Sequence, residues 1–256
     1  MGGAVAKALC AVVDPKEVLL ANRTLSKAEN LAQELGCVYG TNEEVASTCD
    51  YIFLCVKPQM MKDMLEGIAD ILKGRDTGSF VLVSMATGLS MSKLLDMVQG
   101  TYPIIRIMPN TPVLLGKGMI QYCYQNVNDT QLDTWVQAMK LCGVLDEVSE
   151  KDMDAASSVS GCGPAFVYAF IEALADGGVA CGLPRQKAMT YAAQMVFGSA
   201  SMVLETGKHP GQLKDEVCSP GGSTIQGVRT LEEHGFRGTV MDSVIAAYEK
   251  TKDLGK

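Results

Sequence analysis

Through the first 147 residues, short apolar runs alternate with amphipathic stretches of helical period. YIFLCV (51–56), FVLVSM (80–85) and PIIRIM (103–108) are continuous apolar runs of strand length, the pattern of strands covered on both faces. Between them, QMMKDMLEGIADIL (59–72) and SMSKLLDMV (90–98) repeat their apolar residues at helical spacing. Upstream, GAVAKALCAVV (3–13) reads as a helix and EVLLANR (17–23) as a strand running into a polar loop. SKAENLAQELG (26–36) has a serine cap and a glycine stop, CVYG (37–40) is a short strand, and NEEVASTC (42–49) is a short helix. Such alternation predicts an α/β domain over 1–147, a doubly wound sheet of parallel strands.

From Glu150 the strand signals stop, and an all-α domain is expected over 148–256. Helices are predicted at 164–181, 184–206, 223–234 and 238–253, with Gly182-Leu183-Pro184 separating the first two. The 184–206 helix carries Met189, Ala192, Met195, Val196 and Met202 on more than one face. A helix apolar all round must be buried, and a domain of roughly 100 residues has little interior to bury it in. A second subunit is therefore expected to cover it.

Composition narrows the function classes. The chain is 47% hydrophobic and 20% charged, ordinary for a globular protein. Its net charge of −7 provides no basic footprint for nucleic acid or an anionic membrane, so neither partner is expected. No continuous apolar run approaches the ~20 residues that span a bilayer, and the N-terminus lacks a signal-peptide layout. The nine cysteines form no C-x-x-C pair, and only His209 and His234 could join a metal site, so no metal is expected. Scattered thiols with apolar flanks read as reduced core residues of a cytoplasmic protein.

Candidate chemistry lies at the strand ends and at two glycine-rich helix starts. A dinucleotide fold opens strand, G-x-G-x-x-G, helix. Here Met1-Gly2-Gly3 leads straight into a helix, so the first strand is expected to be absent from this sequence, with Gly2 as the third glycine. GGAVAKAL also reads as a plain small-residue helix start. In LLANRT (19–24) no carboxylate is present to meet a ribose 2′-hydroxyl, while Asn22, Arg23, Thr24 and Lys27 supply donors and positive charge. That suits the 2′-phosphate of NADP, a solvated loop being the plain alternative. CVKP (55–58) and MATG (85–88) end strands at the crevice edge, or are ordinary turns. The prolines of IRIMPNTPVLLGKG (105–118) fix a turn whose Asn110 would position a nicotinamide, or merely fix the connection. SGCGPA (160–165) and SPGGST (219–224) are two Gly/Ser helix starts inside the helical domain.

Together with ALADGGVACGLPR (173–185), HPGQLKDEV (209–217), FLCVKP (53–58) and MPNTP (108–112), these stretches closely resemble the motifs of pyrroline-5-carboxylate reductases. The resemblance runs from Met1 to about Leu254, and the SPGG-x-T-I segment is its most specific part. It implies NAD(P)H-dependent reduction of Δ1-pyrroline-5-carboxylate to L-proline, the last step of proline synthesis; the LLANRT loop reads for NADPH as the preferred donor, with NADH as a second. An N-terminal Rossmann domain and a helical domain that interlocks with a partner subunit are also implied, giving homodimers that often assemble into decamers. By position, Asn22, Asn42, Cys55, Val56, Lys57, Pro58, Met85, Ala86 and Thr87 would contact the cofactor, and Glu150, Ser223 and Thr224 the substrate. Three positions depart from the family pattern: the missing first strand, Cys162 in place of serine, and Glu216 in place of asparagine.

On this reading the backbone N–H groups of Gly222, Ser223 and Thr224 hold the substrate carboxylate at a helix start, and the Thr224 hydroxyl meets the imine nitrogen. Two alternatives stand beside it. A 3-hydroxyacid dehydrogenase-like reductase would carry a catalytic lysine in the 164–181 helix, which has none. A truncated, non-catalytic paralogue would assemble with full-length subunits or merely bind substrate.

Overall fold

The computed structural model describes residues 1–254. They fall into two compact units, Met1–Cys162 together with the chain from Ala246 onward, and Gly163–Ile245.

The first unit runs α1 (Gly2–Leu9), β1 (Leu19–Ala21), α2 (Leu25–Leu35), β2 (Val38–Gly40), α3 (Asn42–Thr48) and β3 (Tyr51–Leu54). It continues through α4 (Met61–Lys73), β4 (Val81–Ser84), α5 (Met91–Val98), β5 (Ile104–Met108), β6 (Gly118–Gln125), α6 (Asp129–Met139), β7 (Gly143–Glu147) and α7 (Glu150–Ser160). Local signals place these boundaries. A capping box of Thr41 and Glu44 starts α3, another of Asn128 and Gln131 starts α6, and Gly36 at φ 71° ends α2. Helix α4 buries Met61, Leu65, Ile68, Ala69 and Leu72, one stripe at helical spacing, its larger side chains worth about 1.5–3 kcal/mol each.

Strands β3, β4 and β5 are parallel neighbours, as the apolar runs predict, with α4 and α5 packed on one face and α1 and α6 on the other. The sheet then departs from the all-parallel expectation. Strand β6 pairs antiparallel to β5, and β7 parallel to β6. The nine residues 109–117 between β5 and β6 are too few for a parallel crossover, so the chain turns back. Strands β1 and β2 form a separate parallel pair, Ala21 opposite Gly40. Helix α1 touches both sheets' layers: a Cβ on Gly2 would lie 2.8 Å from the Cys55 Cβ, and Lys7 reaches Glu34 of α2 at 3.9 Å.

The second unit consists of α8 (Gly163–Ala180), α9 (Arg185–Thr206), α10 (Pro210–Val217), α11 (Ser223–Glu233) and the start of α12 (Phe236–Leu254). Its buried apolar side chains are Ala175, Ala188 and Ala192, a small-residue seam where α8 meets α9. Larger apolar groups, among them Tyr191, Met195, Phe197 and Leu204 on α9, are exposed on the single chain. The stretch Glu150–Ala180 is long and apolar enough to cross a bilayer by length and composition, which corrects the reading from continuous apolar runs. It also carries Glu150, Asp152, Asp154, Glu172 and Asp176.

All nine cysteines are free. Burial pushes the Cys123 and Cys142 thiols up to about 11, so both are inert core groups at neutral pH.

Candidate functional site

The parallel register aligns the strand ends. Leu54 pairs with Ser84 and Ser84 with Arg106, so the loops after β3, β4 and β5 emerge along one carboxyl edge. Ligands of doubly wound sheets bind at that edge. The start of α1 belongs there too, pressed onto Cys55 so closely that position 2 has no room for a side chain. No side chain caps the α1 N-terminus; the Ala4 and Val5 N–H groups donate to the Met1 carbonyl, which leaves those of Gly2 and Gly3 without an intrahelical acceptor.

The loop after β1 is folded by Asn22, whose Oδ1 accepts the Thr24 N–H at 2.9 Å. That turn exposes Arg23, Thr24 and Lys27, and neither cation has an ion-pair partner among the described residues. Asn42 is exposed at the start of α3, two residues after Gly40, the register partner of Ala21. After β3, Cys55 and Lys57 are exposed, Val56 and Pro58 half-buried. Crowding desolvates the Cys55 thiol and pushes it up to about 11 although it reaches solvent, so no thiolate forms there at neutral pH. After β4, Ala86 is buried and its N–H donates to Ser84 Oγ at 3.3 Å, while Met85 and Thr87 are half-buried.

Asn110 is 8% exposed. Its Oδ1 accepts the Met119 N–H and its Nδ2 donates to the Ser160 carbonyl, both at 3.0 Å. The amide thus ties the turn after β5 to β6 and to the end of α7. Glu150 is engaged as well: its Oε1 accepts the Met91 N–H at 2.6 Å and lies 3.7 Å from Arg106 Nη1. Arg106 is a residue that reasoning from sequence passed over. The available signal was a lone arginine within the apolar run PIIRIM.

In the second unit, the two adjacent glycines have separate reasons. Gly221 sits at φ +70°, open to glycine at little cost. A Cβ on Gly222 would lie 2.5 Å from Ser219 Oγ. Gly222 is the N-cap of α11, with no side-chain cap, and its own N–H donates to the Ser219 carbonyl at 3.0 Å. The expected three-donor cradle is therefore corrected to two donors: the N–H of Gly222 is already used. Those of Ser223 and Thr224, in the first turn, have no intrahelical acceptor. Both side chains are exposed, and the Thr224 hydroxyl has no hydrogen-bond partner among the described residues. Neither histidine is free: His209 Nδ1 accepts the Gly211 N–H as the cap of α10, and His234 Nδ1 meets the Thr230 carbonyl.

The first unit therefore lines up three strand-end loops and the start of α1 along one sheet edge, and in the second the start of α11 carries an uncapped first turn with a Thr224 hydroxyl unpartnered among the described residues. A family model for pyrroline-5-carboxylate reductase dimerisation matches residues 150–254, and one for coenzyme F420-dependent NADP oxidoreductases matches residues 1–87. The chain is similar to pyrroline-5-carboxylate reductases of Glycine max, 43% identical over 85% of this chain and 78% of the relative, and of Corynebacterium melassecola, 36% identical over 100% and 97%. Among solved structures, a Plasmodium falciparum pyrroline carboxylate reductase with NADP bound superposes with a TM-score of 0.88 at 37% identity, covering 100% of this chain and 95% of that one.

Proposed function

The chain belongs to the pyrroline-5-carboxylate reductase family, and we propose that it draws its hydride from NADPH in preference to NADH and seats its substrate on the first turn of α11. It is an oxidoreductase that reduces Δ1-pyrroline-5-carboxylate to L-proline with a nicotinamide cofactor, and its helical domain mediates oligomerisation. The dehydrogenase-like and non-catalytic alternatives are not favoured.

The observation that carries the substrate reading is the start of α11, where two unspent N–H groups and two exposed hydroxyls adjoin. A carboxylate accepts both N–H bonds there without any cationic side chain. Thr224 then donates its O–H to the imine nitrogen, and Gly222 permits the tight turn that aims the two donors. Glu150 would contact the substrate with the part of its carboxylate that reaches solvent.

When bound, the reduced nicotinamide supplies the hydride to the C=N carbon. Arg23 and Lys27 would face the 2′-phosphate, with Asn22, Thr24 and Asn42 around the adenosine. Gly2 lets the start of α1 close against Cys55, where the helix start would meet the pyrophosphate. Residues Cys55–Pro58 and Met85–Thr87 would line the cofactor, and Asn110 would hold the turn beside the nicotinamide. The relative from Plasmodium falciparum holds NADP, which supports this choice. Dimers assembled into decamers, in the cytoplasm, complete the reading; nine unpaired cysteines suit a reducing compartment.

Two measurements test it. NADPH oxidation by the purified protein should require pyrroline-5-carboxylate and yield proline; turnover of 3-hydroxyacids without this imine would overturn the assignment. Arg23→Ala should raise KM for NADPH roughly tenfold, as expected for one charged hydrogen bond, and leave KM for NADH unchanged. Equal effects on both cofactors would remove the 2′-phosphate argument.

A further inference from the structure

Arg106 stands at the centre of β5, 2% exposed, on the sheet face it shares with Ile104 and Met108. Burying a guanidinium is costly, and an apolar side chain would serve a strand centre as well or better for stability alone. Its partners are specific. Nη2 meets Asp154 Oδ1 at 2.6 Å, and Nη1 lies 3.7 Å from Glu150 Oε1. Glu150 and Asp154 are one turn apart on α7, so both face β5.

The same Glu150 oxygen accepts the N–H of Met91, the first residue of α5, at 2.6 Å. Helix α5 already has a cap in Ser90, whose Oγ takes the Lys93 N–H at 3.3 Å; Glu150 satisfies a second donor that the helix leaves orphaned. One carboxylate is thus held between a buried cation and a helix start. The turn 85–90 runs directly into that start, anchored by the buried Ala86 and Leu89.

We propose that Arg106 is a positioning residue for the reductase reaction: through Glu150 it fixes the start of α5 and so sets the Met85–Thr87 turn against the nicotinamide cofactor. The inference rests on the reading of that turn as part of the cofactor site. The Glu150 side chain is 33% exposed, so without the guanidinium its carboxylate is free to swing toward water and release the Met91 N–H. With the guanidinium in place, one hydrogen bond and one ion-pair contact converge on the same oxygen and hold a single rotamer. The helix start and the turn before it then stay where the cofactor meets them.

The test is direct titration of NADPH by fluorescence, without imine, on the full chain and on Arg106→Gln, Arg106→Lys and Glu150→Gln, alongside steady-state kinetics. Arg106→Gln and Glu150→Gln should each weaken the cofactor Kd about tenfold, the scale of a displaced positioning group. Arg106→Lys keeps the charge and should recover most of the loss, a rescue that a space-filling role would not require. A folded Arg106→Gln that binds NADPH within twofold of the unmodified chain overturns the proposal. If Arg106→Gln does not fold, Glu150→Gln decides alone, and an unchanged cofactor Kd there has the same consequence. A rise in imine KM with unchanged cofactor Kd also overturns it, leaving Glu150 as a substrate contact only. Failure of the unmodified chain to reduce the imine would instead strike the proposed function, and the cofactor titration would still decide the role of Arg106.

Discussion

Thr224→Ala is expected to lower kcat/KM for pyrroline-5-carboxylate by roughly 10–100-fold, equivalent to ~1.4–2.7 kcal/mol, with kcat falling as well as substrate KM rising. The reason lies in what happens at nitrogen. As hydride reaches the imine carbon, electron density moves onto nitrogen, which becomes a better acceptor for the Thr224 O–H. The bond therefore strengthens toward the transition state, and its loss appears in kcat. The competing account makes Thr224 a helix cap, worth ~1 kcal/mol of stability. The geometry speaks against that account, because the N-cap of α11 is Gly222 and no side chain caps the helix. Thr224→Ala should thus leave the melting temperature nearly unchanged. Thr224→Ser keeps the hydroxyl and should retain much of the activity. An alanine variant with normal kcat and KM would sink the proposal, and the imine would then take its proton from solvent.

Which parts of the molecule the sequence exposed follows from how each part is buried. The runs at 51–56, 80–85 and 103–108 were readable as strands because β3, β4 and β5 are packed between helices, so nearly every position is apolar. Strand β6 escaped because Gln121, 4% exposed, interrupts its apolar pattern. Only the fold reveals its partner, the Ser160 hydroxyl, 39 residues away. Helix α10 escaped for the opposite reason: it buries no residue, and it owes its start to Pro210 and the His209 cap. Glycine spacing located the starts of α1 and α11, but which N–H groups of α11 were free was not legible. That depended on the Ser219 carbonyl taking the N–H of Gly222. Likewise, Glu150 was found by resemblance, while Arg106 and Asp154 became visible only once β5 and α7 were brought together.

The second large effect concerns assembly. The single chain fully buries only the apolar side chains of Ala175, Ala188 and Ala192 within residues 163–245, with Ile171, Leu174 and Val179 half-buried against them, and alanine methyl groups contribute only about 0.8 kcal/mol each. That cannot offset the conformational entropy of ordering a helical unit, which costs about 1–2 kcal/mol per residue in backbone freedom alone. The missing apolar burial must come from a partner, and the exposed groups are present to supply it. Phe197 and Leu204, seven residues apart on one stripe of α9, are 59% and 82% exposed on the single chain. Burying such side chains yields about 1.5–3 kcal/mol each per subunit. Replacing both with aspartate removes that gain and adds the cost of desolvating two unpaired carboxylates. The unmodified protein should therefore sediment as a dimer or larger at micromolar concentration, with a melting temperature that rises with concentration. The Phe197→Asp/Leu204→Asp variant should lose both the oligomeric mass and much of the helical circular dichroism together, since unit folding and association are one event. A monomeric mass with native circular dichroism, in either protein, would show that the helical unit stands without its partner.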